Sequence, residues 1–158
     1  IVIANEEIIE AIAKFNGIMN LAMGSFGPAL AYDLVNSGEI ISLSNKVIRP
    51  YYKRKAERAM TLLKNELEGL DFYIHKAEGA LFLWLWLPGL AISSEELYER
   101  LKKRGVLVLS GHYFFPGLKE DWQHKHECLR ITYSMNDDVV SAGIKLIAEE
   151  VKTAIKQS

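Results

Sequence analysis

The sequence predicts an α/β fold, in which helices form a layer against a sheet. After about residue 70, short aromatic and β-branched runs alternate with amphipathic helices, in the order strand, strand, helix, strand, strand, helix. Before that point, apolar residues recur at helical spacing. The chain has 158 residues, of which 49% are hydrophobic and 25% charged, and this composition is typical of a globular domain with an ordinary core.

The first third of the chain is predicted to be mainly helical. It opens with Ile1-Val2-Ile3-Ala4, an apolar run with no methionine before it, which we interpret as a buried strand of a fragment that has lost its upstream neighbours. Asn5 can cap a helix that runs through Phe15, with acidic residues in its first turn. A second helix is predicted from Phe26 to Val35, and the turn residues Asn36-Ser37-Gly38 end it.

The longest predicted helix runs from about Lys46 to Leu70, where apolar residues follow one another in steps of three and four. Pro50 lies near its start and removes a helical hydrogen bond, so we predict a kink or a restart there. The one plausible boundary in the chain lies near Ser44. We therefore expect two parts, residues 1–44 and 45–158.

The second part contains four predicted strands and two further helices. The strands are Phe72–His75, Leu81–Leu87, Val106–Leu109 and Leu129–Tyr133. Ser93 and Glu96 form a capping box that opens a helix, and Gly105 follows its basic last turn. A final helix begins at Asn136 or Asp137 and has an apolar stripe formed by Val140, Ile144, Ile147, Val151 and Ile155.

Composition excludes several classes of function. The formal charge of -1 offers no basic patch, so we expect no nucleic-acid partner. The longest apolar run, from Ala80 to Pro88, is far shorter than the roughly 20 residues that span a bilayer, so we expect no membrane partner. Cys128 is the only cysteine, which excludes an intrachain disulfide and a thiolate zinc cluster and favours a reducing, cytoplasmic location.

Arg130 is the residue with the strongest functional signal. It lies inside an alternating strand, where a guanidinium is costly to place unless an anion meets it. If Leu129 and Ile131 face the core, Arg130 points to the other face, where its planar fork suits a carboxylate. A solvated strand arginine or a structural ion pair would explain the same pattern.

Other residues allow weaker functional hypotheses. The segment from Ser110 to Gln123 is predicted to be a loop whose aromatics either shape a site or cap the core. His124 and His126 would share one face of an extended segment, but no further ligand pair has metal-site spacing, so we expect no metal. Gly79 fits either a close ligand approach or a hairpin turn. Trp84 and Trp86 share a strand face and are expected to be core residues.

Four segments, in this order and spacing, resemble the carboxy-terminal end of class I aminotransferases. They are Gly-Ala-Leu-Phe-Leu-Trp (79–84), Arg-Gly-Val-Leu-Val (104–108), Ser-Gly-His-Tyr-Phe (110–114) and Cys-Leu-Arg-Ile-Thr-Tyr (128–133). The resemblance covers essentially the whole chain and is strongest to the valine–pyruvate type. It implies the small domain of a fold type I enzyme dependent on pyridoxal 5'-phosphate, with residues 1–44 as a helical remnant of the large domain and 45–158 as the small domain.

The resemblance also implies functional roles. Arg130 would bind the α-carboxylate of the amino acid and of the 2-oxo acid, and Gly79, Gly111 and Tyr113 would line the substrate pocket. The full-length parent would be a homodimer that transfers an amino group between valine, or another aliphatic amino acid, and pyruvate in amino-acid biosynthesis. Pyridoxal 5'-phosphate would serve as its electron sink.

Two departures from the family pattern limit what is implied. The family's Schiff-base lysine and phosphate-binding arginine lie just before the segment that begins at Ile1, so we expect this chain to contain no catalytic residue, to bind no cofactor and to be inactive alone. No lysine present replaces the missing one. Ser110 stands where many relatives have proline, which leaves the local turn geometry open.

Two other classes of protein would also fit. An aminotransferase-like domain can sense an effector in a transcriptional regulator, in which case a winged-helix region would precede it. A free-standing ligand-binding domain could use Arg130 for an anion, in which case no lysine-bearing cofactor segment would lie upstream.

Overall fold

The structure, a computed structural model, describes residues 3–19, 24, 26–79 and 81–156. The chain divides into two compact units, Ile1–Ser44 and Asn45–Ser158. The order of elements in the second unit agrees with the predicted α/β pattern. None of the helices in the described ranges combines the length and the apolar character needed to cross a bilayer.

The first unit is helical and contains α1 (Glu6–Met19), α2 (Phe26–Asn36) and the short α3 (Glu39–Leu43). The predicted cap of α1 is confirmed, because Asn5 Oδ1 accepts a hydrogen bond from the Ile8 N–H at 3.0 Å. α3 was not predicted, and it begins directly after Gly38, whose φ of 74° is readily adopted by glycine.

The predicted opening strand is not found in the described residues. Ile1 and Val2 lie outside them, and Ile3 and Ala4 form no strand. Ile3 is 94% exposed and is therefore not buried within this unit. A strand needs a neighbour to bond its backbone groups, and the described part of this unit contains no other strand.

The long predicted helix is interrupted near its start, as expected. A π-helical segment (Ser44–Ile48) precedes α4 (Arg49–Glu66), and Pro50 lies in the first turn of α4. Proline is tolerated there because the first N–H groups of a helix have no intrahelical acceptor. The helix ends at Glu66 rather than Leu70, and Gly69 follows in a left-handed turn with φ 84°.

Four antiparallel strands form one sheet in the order β1-β2-β4-β3. They are β1 (Tyr73–Ile74), β2 (Phe82–Trp86), β3 (Leu109–Ser110) and β4 (Cys128–Thr132). Three strands lie close to their predicted positions, but the prediction for Val106–Leu109 is wrong except at its last residue. The Val106 N–H instead donates to the Leu101 carbonyl at 3.0 Å and closes the end of the preceding helix.

The core lies between one face of the sheet and three helices, α4, α5 (Ser94–Lys103) and α6 (Asp137–Lys156). The predicted cap of α5 is confirmed, because Ser93 Oγ accepts from the Glu96 N–H at 3.1 Å. The predicted stripe of α6 is confirmed as well, with its three central residues at most 1% exposed. The fully buried side chains are mostly leucines and isoleucines, including Leu63, Leu83, Leu85, Leu97, Leu101, Leu129, Ile144 and Ile147.

An ion-pair network joins α4 to the start of α6, and it makes stability depend on acidity. Asp137 accepts from Lys55 Nζ at 2.9 Å and from Arg58 at 2.8 Å. The hydrogen bond from Lys55 is the main cause that lowers the pKa of Asp137 below its ordinary value of 3.8.

We expect this network to stabilise the fold fully above pH 3.8 and to lose its effect as the pH falls through the folded-state pKa of Asp137. The sign follows because the unfolded chain binds the proton first. Urea unfolding at several acidic pH values should show a shallower pH dependence for Asp137→Asn than for the unchanged chain. Equal pH dependence in both proteins would contradict the prediction.

Candidate functional site

The sheet has a second face, opposite the three helices, and Arg130 lies on it. Leu129 and Ile131 are 0% and 5% exposed and face the core, as predicted. Arg130 therefore points to the other face, where it is half-buried and pairs across the sheet with Trp84. The alternation of β4 alone predicts this orientation.

The Arg130 guanidinium contacts two aromatic rings. Its Cζ is 4.1 Å from the centroid of the Phe82 ring and 4.7 Å from that of Phe114. Both contacts are cation–π interactions, in which a guanidinium can keep in-plane N–H donors for a planar acceptor. Within the described ranges, no carboxylate lies at ion-pair distance from Arg130. The structural ion pair considered from the sequence is therefore not formed there.

Arg130 and Gly79 meet at one recess of about 280 Å³. An added Cβ at Gly79 would contact no atom within 4 Å, so this glycine is not needed for packing within the chain and leaves the recess open. The full lining consists of His75, Lys76, Ala77, Glu78, Gly79, Phe82, Leu83, Trp84 and Arg130.

His75 and Lys76 also line this recess, although no sequence pattern pointed to either as a site residue. His75 is the last residue of the strand predicted at Phe72–His75, and Lys76 begins the predicted turn that leads to β2, which pairs with β4. The pairing of β2 with β4 brings His75 and Lys76 near Arg130, so a correct prediction of that pairing would have identified them. Lys76 is 79% exposed in its side chain and forms an ion pair with Glu78.

Gly111 and Tyr113 do not line this recess. Residues 111–114 form a single 3-10 turn, Gly111–Phe114, which we call the aromatic turn. Positions three apart overlap in such a turn, so Phe114 lies on the same side as Gly111, over the sheet. Tyr113 is 64% exposed, and its ring lies against that of His112 at 4.0 Å between centroids, with the two planes tilted by 37°.

Gly111 is buried and tightly packed instead. A Cβ built on it would lie 2.7 Å from Cys128 Cβ and 2.8 Å from the Lys125 carbonyl oxygen. The backbone of Ser110, just before it, has φ −66°, the value that a proline ring imposes. The serine at this position therefore keeps a turn geometry that proline would also adopt.

The residues that follow the aromatic turn, from Phe115 to Glu127, pack over β2 and β4. Trp84 and Trp86 are half-buried under it and are not part of the helix-facing core, which corrects the expectation for them. The Glu127 carboxylate is buried and accepts from Trp86 Nε1 and from the Gly89 N–H, both at 2.9 Å. These bonds compensate the burial of the charge and fasten the end of the loop to β2.

The extended arrangement predicted for His124 and His126 is wrong, because they lie in a 3-10 turn, Gln123–His126. His124 Nε2 lies 3.4 Å from Cys128 Sγ, whereas His126 Nε2 lies 3.1 Å from Asp121 Oδ1. The two rings thus have different partners. The described ranges contain no cluster of three histidine, cysteine or acidic side chains that could bind a metal ion.

The Cys128 thiol is expected to be unreactive in the folded chain. It is 0% exposed, and burial raises its pKa to about 11. Because the thiolate is the nucleophile, labelling with a disulfide reagent at about pH 8 should be slow in the native protein and fast in denaturant. The chain has one cysteine, so the signal has one source. Rapid stoichiometric labelling of the native protein would contradict this burial.

The chain is similar to known aminotransferases in both sequence and fold. A family model for aminotransferase class I and II matches residues 1–147. The valine–pyruvate aminotransferase of Escherichia coli (strain K12) is 43% identical over all of this chain, which spans 38% of that protein's length. The crystal structure of a valine–pyruvate aminotransferase from Salmonella typhimurium LT2 matches with a TM-score of 0.89 and 44% identity, over 99% of this chain and 40% of that one.

A more distant solved structure agrees in fold alone. It is an α-aminoadipate aminotransferase from Thermus thermophilus, complexed with N-(5'-phosphopyridoxyl)-L-leucine, and it is 20% identical with a TM-score of 0.80. The match covers 99% of this chain and 38% of that one.

Proposed function

This chain belongs to the class I and II aminotransferase family, and on that premise we propose that it is the carboxy-terminal part of a pyridoxal-phosphate-dependent aminotransferase of the valine–pyruvate type. The observation that supports the assignment most directly is the Arg130 guanidinium, which contacts two aromatic rings and has no carboxylate partner in the described ranges. The identity of 43% to a valine–pyruvate aminotransferase supports the substrate class.

Arg130 is proposed to bind the substrate α-carboxylate. Transamination converts an amino acid and a 2-oxo acid into one another, and both carry this group, so one fixed arginine serves both halves of the reaction. Its two in-plane donors match the two carboxylate oxygens. The rings of Phe82 and Phe114 reduce the freedom of the guanidinium, which lowers the entropic cost of binding.

The recess beside Arg130 would receive the part of the substrate next to its carboxylate. Gly79 keeps this space free, and the aromatic rings of Phe82 and Trp84 offer apolar surface that suits an aliphatic side chain. Gly111 would act through packing of the aromatic turn. Tyr113, exposed within this unit, is proposed to line the substrate pocket only in the full-length enzyme.

Lys76, the lysine that lines the Arg130 recess, does not fit the task of holding the cofactor. Schiff-base lysines are activated by desolvation or by a neighbouring cation. Lys76, the lysine beside Arg130, is exposed and paired with Glu78. Pyridoxal 5'-phosphate supplies an electron sink when bound, and we propose that its lysine lies in a part of the enzyme outside this sequence. The chain alone is then inactive.

The two compact units support a domain assignment. We propose that residues 1–44 belong to the large cofactor-binding domain and that residues 45–158, with the long α4, form the small domain. The exposed apolar side chains of α1 suit a unit that packs on other parts of a larger protein. Homodimer formation, a cytoplasmic location and a role in amino-acid biosynthesis remain predictions.

The test uses the full-length protein that contains this sequence. We expect it to show pyridoxal-phosphate absorbance and to transfer the amino group of valine to pyruvate, and we expect the 158-residue chain to do neither. A full-length protein that binds no cofactor and catalyses no transamination would overturn the proposal. The relatives found are aminotransferases, which favours the enzyme over the regulator domain considered from the sequence.

A further inference from the structure

A hydrogen-bonded chain of three side chains runs from α5 through β3 into the aromatic turn and forms no part of the proposed carboxylate contact. Ser94 Oγ lies 2.6 Å from Ser110 Oγ, which in turn lies 2.7 Å from His112 Nδ1. Ser94 and Ser110 are 0% and 1% exposed. The chain links the first residue of α5 to the last residue of β3 and to the aromatic turn.

The burial of the Ser94 and Ser110 hydroxyl groups calls for a physical reason. A hydroxyl taken out of water costs free energy unless it is hydrogen-bonded, and alanine would pack at either serine without that cost. Hydrogen-bonded side chains in a buried site reinforce one another and specify one arrangement. Here the hydrogen bonds fix the direction in which the backbone leaves β3 and enters the aromatic turn.

The aromatic turn needs such support because it is short. A single 3-10 turn has poor hydrogen-bond geometry and little stability of its own. Phe114 at its end is 4.7 Å from the Arg130 Cζ and makes an edge contact with Trp84 at 5.2 Å between centroids. A small rotation of the turn therefore displaces one of the two rings that orient the guanidinium.

We propose that Ser94, Ser110 and His112 are positioning residues, which act on substrate binding through Phe114 and Arg130. The inference rests on the proposed function of Arg130. The three side chains do not line the Arg130 recess, so their effect is indirect. It falls on the Michaelis constants of the amino acid and of the 2-oxo acid together, because both use the same guanidinium.

The test is a double-mutant cycle in the full-length holoenzyme, with valine and pyruvate as substrates. Ser110→Ala is expected to raise both Michaelis constants about three- to tenfold, the equivalent of one hydrogen bond, with kcat changed by less than about twofold. In the Arg130→Ala background the same change should give no further increase, because the group on which it acts is absent. Ser141→Ala, a half-buried serine of α6, is the matched control and should change neither constant.

A second pair of variants covers the case in which Ser110→Ala does not fold. His112→Ala should raise the Michaelis constants as Ser110→Ala does, whereas His112→Asn, which places a polar atom near the Nδ1 position, should restore them. A purely structural role would lower thermal stability without this rescue of binding.

The outcomes separate the two proposals. If Arg130→Ala leaves the Michaelis constants unchanged, the proposed function of Arg130 is wrong and this inference with it. If Arg130→Ala raises them but Ser110→Ala has no effect, or an equal effect in both backgrounds, the inference alone is wrong.

Discussion

Replacing Arg130 by alanine in the full-length enzyme is expected to raise the Michaelis constants of valine and pyruvate about a hundredfold each. The figure corresponds to about 3 kcal/mol, because the substrate carboxylate then enters a half-buried site without its charged partner. The bonds of the carboxylate itself do not change in the reaction, and the group is bound in ground and transition state alike. The effect on kcat should therefore be the smaller one. Steady-state kinetics with each substrate varied in turn measure both constants.

Two further variants show whether geometry or charge matters at this position. Arg130→Lys keeps the charge but loses the planar fork and its contacts with the rings of Phe82 and Phe114. Its Michaelis constants should therefore lie between those of the unchanged enzyme and those of Arg130→Ala. Arg58→Ala removes an arginine that pairs with Asp137, on the helix-covered side of the unit, and should leave both constants unchanged. An increase limited to one of the two substrates would contradict a shared carboxylate site.

Replacing Gly111 by alanine is expected to destabilise the second unit by about 3 kcal/mol, a cost of overpacking. The new Cβ would lie 2.8 Å and 2.9 Å from the carbonyl oxygens of Lys125 and Cys128. Backbone oxygens cannot rotate away as a flexible side chain can, so the aromatic turn must separate from β4. Urea unfolding, followed by tryptophan fluorescence, measures the change in the free energy of unfolding.

The matched control is the same substitution at Gly143, in the interior of α6. A Cβ there would contact no atom within 4 Å outside its own helix, so Gly143→Ala should stabilise the unit by about 0.5–1 kcal/mol through helix propensity. The two identical changes thus have opposite expected signs. If Gly111→Ala were as stable as the unchanged chain, the close packing of residues 111 and 128 would be disproved.

Several parts of the candidate site could be predicted from the sequence because they follow local periodicity. The alternation of β4 placed Leu129 and Ile131 in the core and Arg130 on the opposite face. Ser93 and Glu96, three residues apart, gave the start of α5. The stripe of α6 showed which of its residues are buried. Each of these features depends on residues within one turn or one strand.

Two segments predicted to be extended are not, because their backbone or side-chain groups bond to residues nearby in the sequence instead. Val106 to Val108 have the composition of a strand, yet Val106 bonds back to Leu101 at the end of α5, and the strand begins only at Leu109. His124 and His126 were expected to be extended, but a 3-10 turn gives them different partners.

The sequence by itself thus determined the class of fold, the order of the main helices and strands in the second unit and the face on which Arg130 lies, because hydrophobic periodicity encodes which side of each element is buried. Only the tertiary structure decided what surrounds that arginine. The contacts of Phe82 and Phe114 with Arg130, the packing of Gly111 on Cys128 and the bond between Ser94 and Ser110 join residues 16 to 48 positions apart. Such contacts depend on the path of the loop over the sheet, which no local pattern specifies.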